Sequence, residues 1–180
     1  MKVAILVAEG FEEIEVTTVY DVLKRAGADV VTIGLDTKEA TGAHGLKIVT
    51  DDVLANIRAA NLDALVIPGG HPGYVNLSES KAVLELTRMM AGAGKYLASI
   101  CAGPLVLEKA GVIKGKTVTC FPGMERELPS ALFSPDRVAE DGNIITSRGP
   151  GTAMDFALKL VERWLNPDVA MKLRKEMVIN

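Results

Sequence analysis

The sequence is poor in the residues that mark several protein classes. Only two of its 180 residues are cysteines, Cys101 and Cys120, which is too few for a disulfide framework. Basic residues do not outnumber acidic ones and the net charge is −3, so we expect no nucleic-acid partner. The apolar run at residues 3–8 stops at Glu9, so neither a signal peptide nor a membrane span is predicted. These absences predict a cytoplasmic protein with reduced thiols and no membrane partner.

Motifs for metals and cofactors are also missing. The chain has two histidines, His44 and His71, and with the two scattered cysteines they do not assemble a zinc-ligand spacing. The glycine-rich stretches match neither a phosphate-binding loop nor a dinucleotide fingerprint. We therefore expect no metal and no cofactor.

The sequence does contain enough apolar residues, 48%, to form a full core for one domain over residues 1–180. Apolar strand patterns alternate with amphipathic helical patterns, and this alternation is typical of an α/β three-layer sandwich with a mostly parallel sheet. The predicted strands cover 3–8, 28–33, 62–68, 96–100, 117–120 and 143–146. A helix at 79–91 capped by Ser78, a short helix after Asp51 and Asp52, and a surface excursion at 122–142 complete the prediction.

One cysteine lies where a predicted strand turns into a predicted helix. The strand at 96–100 leads directly into Cys101, and Ala102, Gly103 and Pro104 then open the helix. Small residues and a first-turn proline permit a sharp turn of the nucleophile-elbow type, with Cys in place of Ser. A helix N-terminus favours the thiolate form of a nearby cysteine. On this stretch alone a buried structural cysteine remains equally open.

Two other predicted strands end in candidate site residues. In parallel sheets the working site lies beyond the carboxyl ends of the strands. After the first strand, Glu12 and Glu13 are expected to be solvated, whereas the helical spacing of Glu15 turns it inward. A carboxyl group beside a thiolate resists ionisation, so Glu15 is expected to hold a proton and to exchange it with a substrate.

The other strand ends in Gly69-Gly70-His71. The backbone N–H of Gly70, together with that of Ala102, could stabilise an oxyanion. His71 lies at the same strand end and His44 lies in a polar loop; either could assist as a base, and an ordinary surface histidine is an equally open interpretation.

With these residues identified, the chain resembles the ThiJ/PfpI superfamily, and within it the branch of the parkinsonism-associated protein. The matching segments, in the order that the family has them, are 8–15 (AEGFEEIE), 66–70 (VIPGG), 76–80 (NLSES), 100–104 (ICAGP) and 146–152 (TSRGPGT). The resemblance implies a flavodoxin-like domain and a homodimer. It also implies a reactive, readily oxidised Cys101, a protonated Glu15 as its partner, and a pocket lined by the N–H groups of Gly70 and Ala102.

The resemblance implies roles for three further residues, and the chain departs from the family pattern at two positions. Asp21 and Arg25 match positions near the family's dimer interface, and Arg148 matches an arginine near its site. The protease-like branch has a histidine directly after the nucleophile, where this chain has Ala102, which argues against peptidase activity. Some relatives carry a histidine before a proline on a later strand, where this chain has Phe121, so a Cys–His dyad from that strand is unavailable.

Three functional hypotheses follow from the resemblance. The first is a cofactor-independent glyoxalase or deglycase that acts on 2-oxoaldehydes such as methylglyoxal and glyoxal, or on their protein adducts, through Cys101 and Glu15. The second is an oxidation-sensing stress-response chaperone or regulator that uses the same cysteine. A weaker third is an amidotransferase- or peptidase-like hydrolase. The sequence does not separate the first two, because both need the same pocket.

Overall fold

The fold is organised by one large β-sheet with helices on both faces. The computed structural model describes residues 1–179, so Asn180, the last residue of the predicted domain, lies outside the described residues. The strands are β1 Lys2–Val7, β2 Asp29–Gly34, β3 Glu39–Thr41, β4 Lys47–Val49, β5 Asp52–Val53, β6 Ala64–Ile67, β7 Tyr96–Ile100, β8 Thr117–Val118, β9 Leu132–Phe133, β10 Val138–Asp141 and β11 Ile144–Ser147. The helices are α1 Glu13–Arg25, α2 Gly73–Glu79, α3 Lys81–Gly92, α4 Pro104–Ala110, α5 Ala153–Trp164 and α6 Pro167–Glu176.

The main sheet has seven strands in the order β10-β11-β7-β6-β1-β2-β5. Every neighbouring pair is parallel except β10 with β11 at one edge. The carboxyl ends of β1, β6 and β7 therefore lie side by side near the middle of the sheet. This arrangement confirms the predicted mostly parallel sheet and places the three candidate strand ends at one edge of it.

Side chains alternate between the two faces of the sheet and form two separate cores. In β1, Val3, Ile5 and Val7 pack with the apolar faces of α1, α5 and α6. The intervening Ala4 and Leu6 pack with α2, α3 and α4. This period of two along a strand buried on both faces produces three layers. The α/β, flavodoxin-like prediction is confirmed.

Three predicted elements differ from the structure. The helix predicted at 79–91 is two helices that meet at Ser80, and Ser80, not Ser78, caps α3 by accepting a hydrogen bond from the Val83 N–H. The segment after Asp51 forms β5 and one turn of 3₁₀ helix, because the Asp51 carboxylate accepts a hydrogen bond from the Thr32 N–H and anchors the segment to β2.

The strand predicted at 117–120 stops at Val118. Beyond it the chain turns toward Cys101, since the Phe121 N–H donates a 2.8 Å hydrogen bond to the Cys101 carbonyl. No helix within residues 1–179 is both long and apolar enough to cross a membrane.

Candidate active site

Cys101 lies in the turn between β7 and α4, and its backbone is strained. Its φ angle is +64°, in the left-handed region, which costs a non-glycine residue about 1–2 kcal/mol. Hydrogen bonds hold the residue from both sides: its N–H donates to the Ser147 carbonyl at 2.9 Å, and its carbonyl accepts from the Phe121 N–H. Strain that is held in this way is typical of functional residues.

Glu15 lies in the first turn of α1 and is 1% exposed. Its Oε2 accepts a 2.7 Å hydrogen bond from the Gly69 N–H, whereas its Oε1 is buried with no hydrogen-bond partner within residues 1–179. Burial raises the pKa of Glu15 to about 7, and the negative charge of Glu12 adds to this, against the opposing effects of Gly69 and Cys101. A pKa near 7 allows the carboxyl group to hold or release a proton near neutral pH, and the predicted acid/base role of Glu15 stays a prediction.

Gly69 lies against both the thiol and the carboxyl group. A Cβ added at this position would lie 2.7 Å from Cys101 Cβ and 3.0 Å from both Cys101 Sγ and Glu15 Oε2. The two reactive groups thus flank the same residue, and only glycine leaves room for them. The sequence predicted an oxyanion role for the N–H of Gly70 and none for Gly69. A pair of adjacent glycines does not show which backbone N–H points into the site.

Gly70 and Ala102 do face the sulfur. Hydrogen bonding from both backbone N–H groups favours the Cys101 thiolate and opposes the rise of its pKa. Gly70 has a φ angle of +90°, and an added Cβ would lie 2.2 Å from the Glu12 nitrogen, so the turn requires glycine. The two N–H groups are in place for the predicted oxyanion role, which stays a prediction.

The expected lowering of the Cys101 pKa is wrong when Glu15 is ionised. Burial of the thiol, followed by the charge of Glu15 and a hydrogen bond to it, raises the pKa of Cys101 above its ordinary value. The nearby start of α4 does not outweigh these effects. A pocket of this kind takes up one negative charge at neutral pH and resists a second, so a thiolate here requires that Glu15 hold the remaining proton.

The prediction that Glu12 and Glu13 are solvated is also wrong. Glu12 is 8% exposed, and it shares the inward face with Glu15 because the two are three residues apart. Glu13 is half-buried; its Oε1 accepts from the His44 N–H at 2.7 Å, and its Oε2 lies 2.9 Å from His44 Nδ1. Burial acts to raise the pKa of Glu13, but hydrogen bonds from His44 and Leu46 lower it below its ordinary value.

His44 therefore lies beside acidic residues rather than at the thiol. Hydrogen bonding to Glu13, together with the charges of Glu12 and Glu13, raises the pKa of this exposed imidazole. One possible ligand atom from each of Glu12, Glu13 and His44 lies within 4.8 Å of the others. The sequence spacing gave no sign of this group, because its members come from segments some thirty residues apart.

His71 and Arg148 were predicted to line the pocket. His71 is exposed, and its ring centroid lies 6.0 Å from that of Tyr74. The Arg148 guanidinium donates to the Pro135 carbonyl at 2.9 Å and lies 5.9 Å from the centre of the Phe133 ring. Within residues 1–179 neither side chain forms a hydrogen bond with Cys101 or Glu15, so their participation stays a prediction.

Cys120 has a different environment. It is fully buried and packs in the apolar core on the α2–α4 side of the sheet, whereas Cys101 contacts the core on the other side. Burial, with a contribution from the charge of Glu125, raises the pKa of Cys120 to about 11, against the opposing charge of Arg148. Both cysteines are free thiols.

Comparison with known proteins finds relatives that match most of the chain. The chain is 36% identical over 177 residues to the glutathione-independent glyoxalase DJR-1.2 of Caenorhabditis elegans, covering 97% of this chain and 94% of that protein. It is 38% identical over 154 residues to a deglycase of Pyrococcus abyssi, covering 84% of this chain and 92% of the relative. A structure described as oxidized DJ-1 of Toxoplasma gondii superposes with a TM-score of 0.94 at 33% identity, covering 98% of this chain and 97% of the other.

A family model described as the DJ-1/PfpI family matches residues 1–163, which include the three strand ends and both reactive side chains. The match, the relatives and the shared fold all agree with the resemblance found in the sequence motifs. The chain belongs to the DJ-1/PfpI family.

Proposed function

We propose that this protein is a cofactor-independent enzyme that acts on 2-oxoaldehydes, either free methylglyoxal and glyoxal or their adducts on protein side chains. Cys101 is the nucleophile and Glu15 is the acid/base. The observation that carries the proposal is the buried Glu15, with its pKa near 7, beside the thiol of a residue with a strained backbone, both groups lying against Gly69. Relatives named glyoxalase and deglycase support the same kind of chemistry.

The reaction begins with attack of the Cys101 sulfur on the aldehyde carbon. A C–S bond forms while the C=O π electrons move to the aldehyde oxygen. The N–H groups of Gly70 and Ala102, which face the sulfur in the free pocket, stabilise the developing oxyanion. The proton held by Glu15 then passes to this oxygen and completes a hemithioacetal.

Glu15, now ionised, removes the hydrogen from the former aldehyde carbon, which gives an enediolate. The hydroxyl proton of the hemithioacetal moves to the neighbouring oxygen, and Glu15 returns the first proton to the neighbouring carbon. The first carbon is thereby oxidised and the second reduced within one molecule, so no external oxidant or reductant is required. The product is a 2-hydroxyacyl thioester of Cys101. Water releases the 2-hydroxy acid, lactate from methylglyoxal, and restores the thiol.

The second candidate function is oxidation sensing through the same residue. Peroxide converts an accessible thiolate stepwise to sulfenic and then sulfinic acid. A sulfinate at Cys101 would find the unpartnered Oε1 of a protonated Glu15 and two backbone N–H groups as hydrogen-bonding groups. A stress-response chaperone or regulator could read this change. An amidotransferase- or peptidase-like hydrolase has less support, because neither histidine forms a hydrogen bond with Cys101 within residues 1–179.

One pair of measurements separates the two candidates. Purified protein is incubated with methylglyoxal and lactate is followed by NMR; a second sample is treated with mild peroxide and analysed by mass spectrometry. Steady lactate formation supports the enzyme. Absence of turnover together with selective oxidation of Cys101 would favour the sensor instead.

We also propose that the protein forms a homodimer through the outer face of α1. Ile14, which is 51% exposed, lies at helical spacing from the ion pair of Asp21 and Arg25, and the 46% exposed Leu46 lies next to the start of the helix. Exposed apolar groups beside charged ones are typical of interfaces. Sedimentation should show a dimer that Ile14→Glu dissociates, whereas Met171→Glu, at an exposed residue of α6, leaves it intact.

A further inference from the structure

A second group of titratable side chains lies at the start of α1 and is not used by the proposed reaction. Glu12 is the N-cap residue of α1, Glu13 is its first residue, and His44 lies in the turn between β3 and β4. Each contributes one nitrogen or oxygen atom to a group in which all three atoms lie within 4.8 Å of one another.

The distances within this group fit a small cation. His44 Nδ1 lies 2.9 Å from Glu13 Oε2 and 3.8 Å from Glu12 Oε2. Ligand atoms of a tetrahedral zinc ion, with bonds of about 2.0–2.1 Å, are roughly 3.3 Å apart. The observed distances lie on either side of that value, so small side-chain shifts would bring the three atoms to it.

The Glu13 carboxylate is held in place by groups outside the cluster. Its Oε1 accepts hydrogen bonds from the N–H groups of His44 and Leu46, which leaves Oε2 directed at the imidazole. A Cβ at Gly42 would lie 2.3 Å from Glu13 Oε1, so this loop position makes room for the carboxylate. Such outer hydrogen bonds orient metal-ligating carboxylates in known sites.

Glu12 supplies an independent observation. It is 8% exposed, it makes no capping hydrogen bond to its own helix, and no group within residues 1–179 donates a hydrogen bond to its carboxylate. A carboxylate that is largely removed from water is stabilised by a positive charge nearby. Its Oε2 lies 3.8 Å from His44 Nδ1, so a cation bound between them would supply that charge.

We propose that Glu12, Glu13 and His44 bind a divalent transition-metal ion of the zinc type. Two carboxylates balance its charge, and the mixture of imidazole and carboxylate ligands suits zinc and its spectroscopic substitute cobalt. Three protein ligands leave one position open to water. The ligands all belong to one chain, and Cys101 is not among them, although the charge of Glu12 contributes to the pKa of Glu15.

The test measures metal binding in a Cys101→Ser background, which removes the accessible thiol as a competing ligand. Zn²⁺ is titrated by calorimetry and Co²⁺ by its visible absorption. We expect one equivalent to bind. His44→Ala should weaken binding by roughly tenfold or more, since loss of an outer-shell partner alone has an effect of 10–100-fold. His44→Asp, which restores a ligand, should recover part of the affinity.

His71→Ala is the matched control, because His71 is the other histidine of the chain and is also exposed. It should leave the affinity unchanged. Glu12→Gln should weaken binding as His44→Ala does, and melting curves recorded without metal verify that each variant is folded. Absence of binding by the folded Cys101→Ser protein would refute the site. Binding that is insensitive to His44→Ala, or lost on Cys101→Ser but present in wild type, would do so as well.

Discussion

The two cysteines of this protein lie on segments that one backbone hydrogen bond connects, and their surroundings differ. The N–H of Phe121, the residue after Cys120, donates to the carbonyl of Cys101 at 2.8 Å. Cys101 has a left-handed backbone and lies beside a buried carboxyl group and two inward N–H groups. Cys120 is fully buried among apolar side chains. The two sulfurs therefore differ in the polar groups around them, although the backbone connects their segments.

The pKa of both thiols is raised, but by causes that respond differently. Burial is the largest cause for both thiols. For Cys101 the charge of the buried Glu15 is the second cause, and protonation of Glu15 removes that contribution. For Cys120 the second cause is the charge of Glu125, and no carboxyl group bonds to its sulfur within residues 1–179. The following experiments test this contrast.

Removing each sulfur should give the largest difference. Cys101→Ala should lower turnover of methylglyoxal by roughly a thousandfold or more, since the nucleophile is lost. Cys120→Ala should stay within about twofold of wild type, because its sulfur does not face the pocket. Kinetic assays on both folded variants check this. Substantial turnover by Cys101→Ala would contradict the mechanism.

The second largest effect concerns the proton on Glu15. Its folded pKa of about 7 exceeds the ordinary 4.5, so between these pH values the unfolded chain loses a proton that the folded chain retains. Stability from this group is therefore full below about pH 4.5 and falls as the pH rises to 7, by at most roughly 3 kcal/mol. Urea unfolding of wild type and Glu15→Gln at several pH values measures it. The difference between the two curves should vary over this range; a constant difference would count against a raised pKa.

Substitution of Gly69 tests whether the thiol and the carboxyl group need the space that this glycine leaves between its neighbours. Gly69→Ala should destabilise the fold by about 1–3 kcal/mol and lower turnover, because the new methyl would collide with Cys101 and Glu15. Gly151→Ala is the control, since a Cβ there meets nothing within 4 Å. Thermal melts and assays of both variants compare them. Equal behaviour of the two would show that the pocket tolerates the methyl group.

The smallest predicted effect isolates backbone strain. At φ +64° a glycine is favoured over alanine, so Cys101→Gly should be more stable than Cys101→Ala by about 1 kcal/mol. At position 120, whose φ is not positive, the order should reverse, since glycine loses more backbone entropy on folding. Denaturant midpoints of the four variants provide the measurement. The same order at both positions would argue against strain at Cys101.

The architecture was predictable because it depends on short-range patterns. Apolar runs buried on both faces and amphipathic helices identify an α/β sandwich without knowledge of distant contacts. The errors arise where distant segments decide the local structure. Asp51 is held by Thr32 of β2, and Glu13 is paired with a loop some thirty residues later, so a rule for helix first turns could not place them.

Within the site, positions were easier to predict than energies. Cys101 and Glu15 were found because strand ends in a parallel sheet converge. The direction of the Cys101 pKa was predicted wrongly because it depends on how deeply the thiol is buried, which the sequence does not show. The inward position of Glu12 could have been predicted from its spacing to Glu15.

The glycines around the thiol also limit how this protein could be redesigned. A side chain at Gly69, Gly70 or Gly103 would come within 3.0 Å of neighbouring atoms. None of these glycines can therefore be replaced unless the atoms around it move. Phe121, which is 46% exposed and is joined to Cys101 through its backbone N–H, has no such constraint on its ring. Changes that arise by selection or by engineering should therefore accumulate at exposed positions such as Phe121 and spare these glycines.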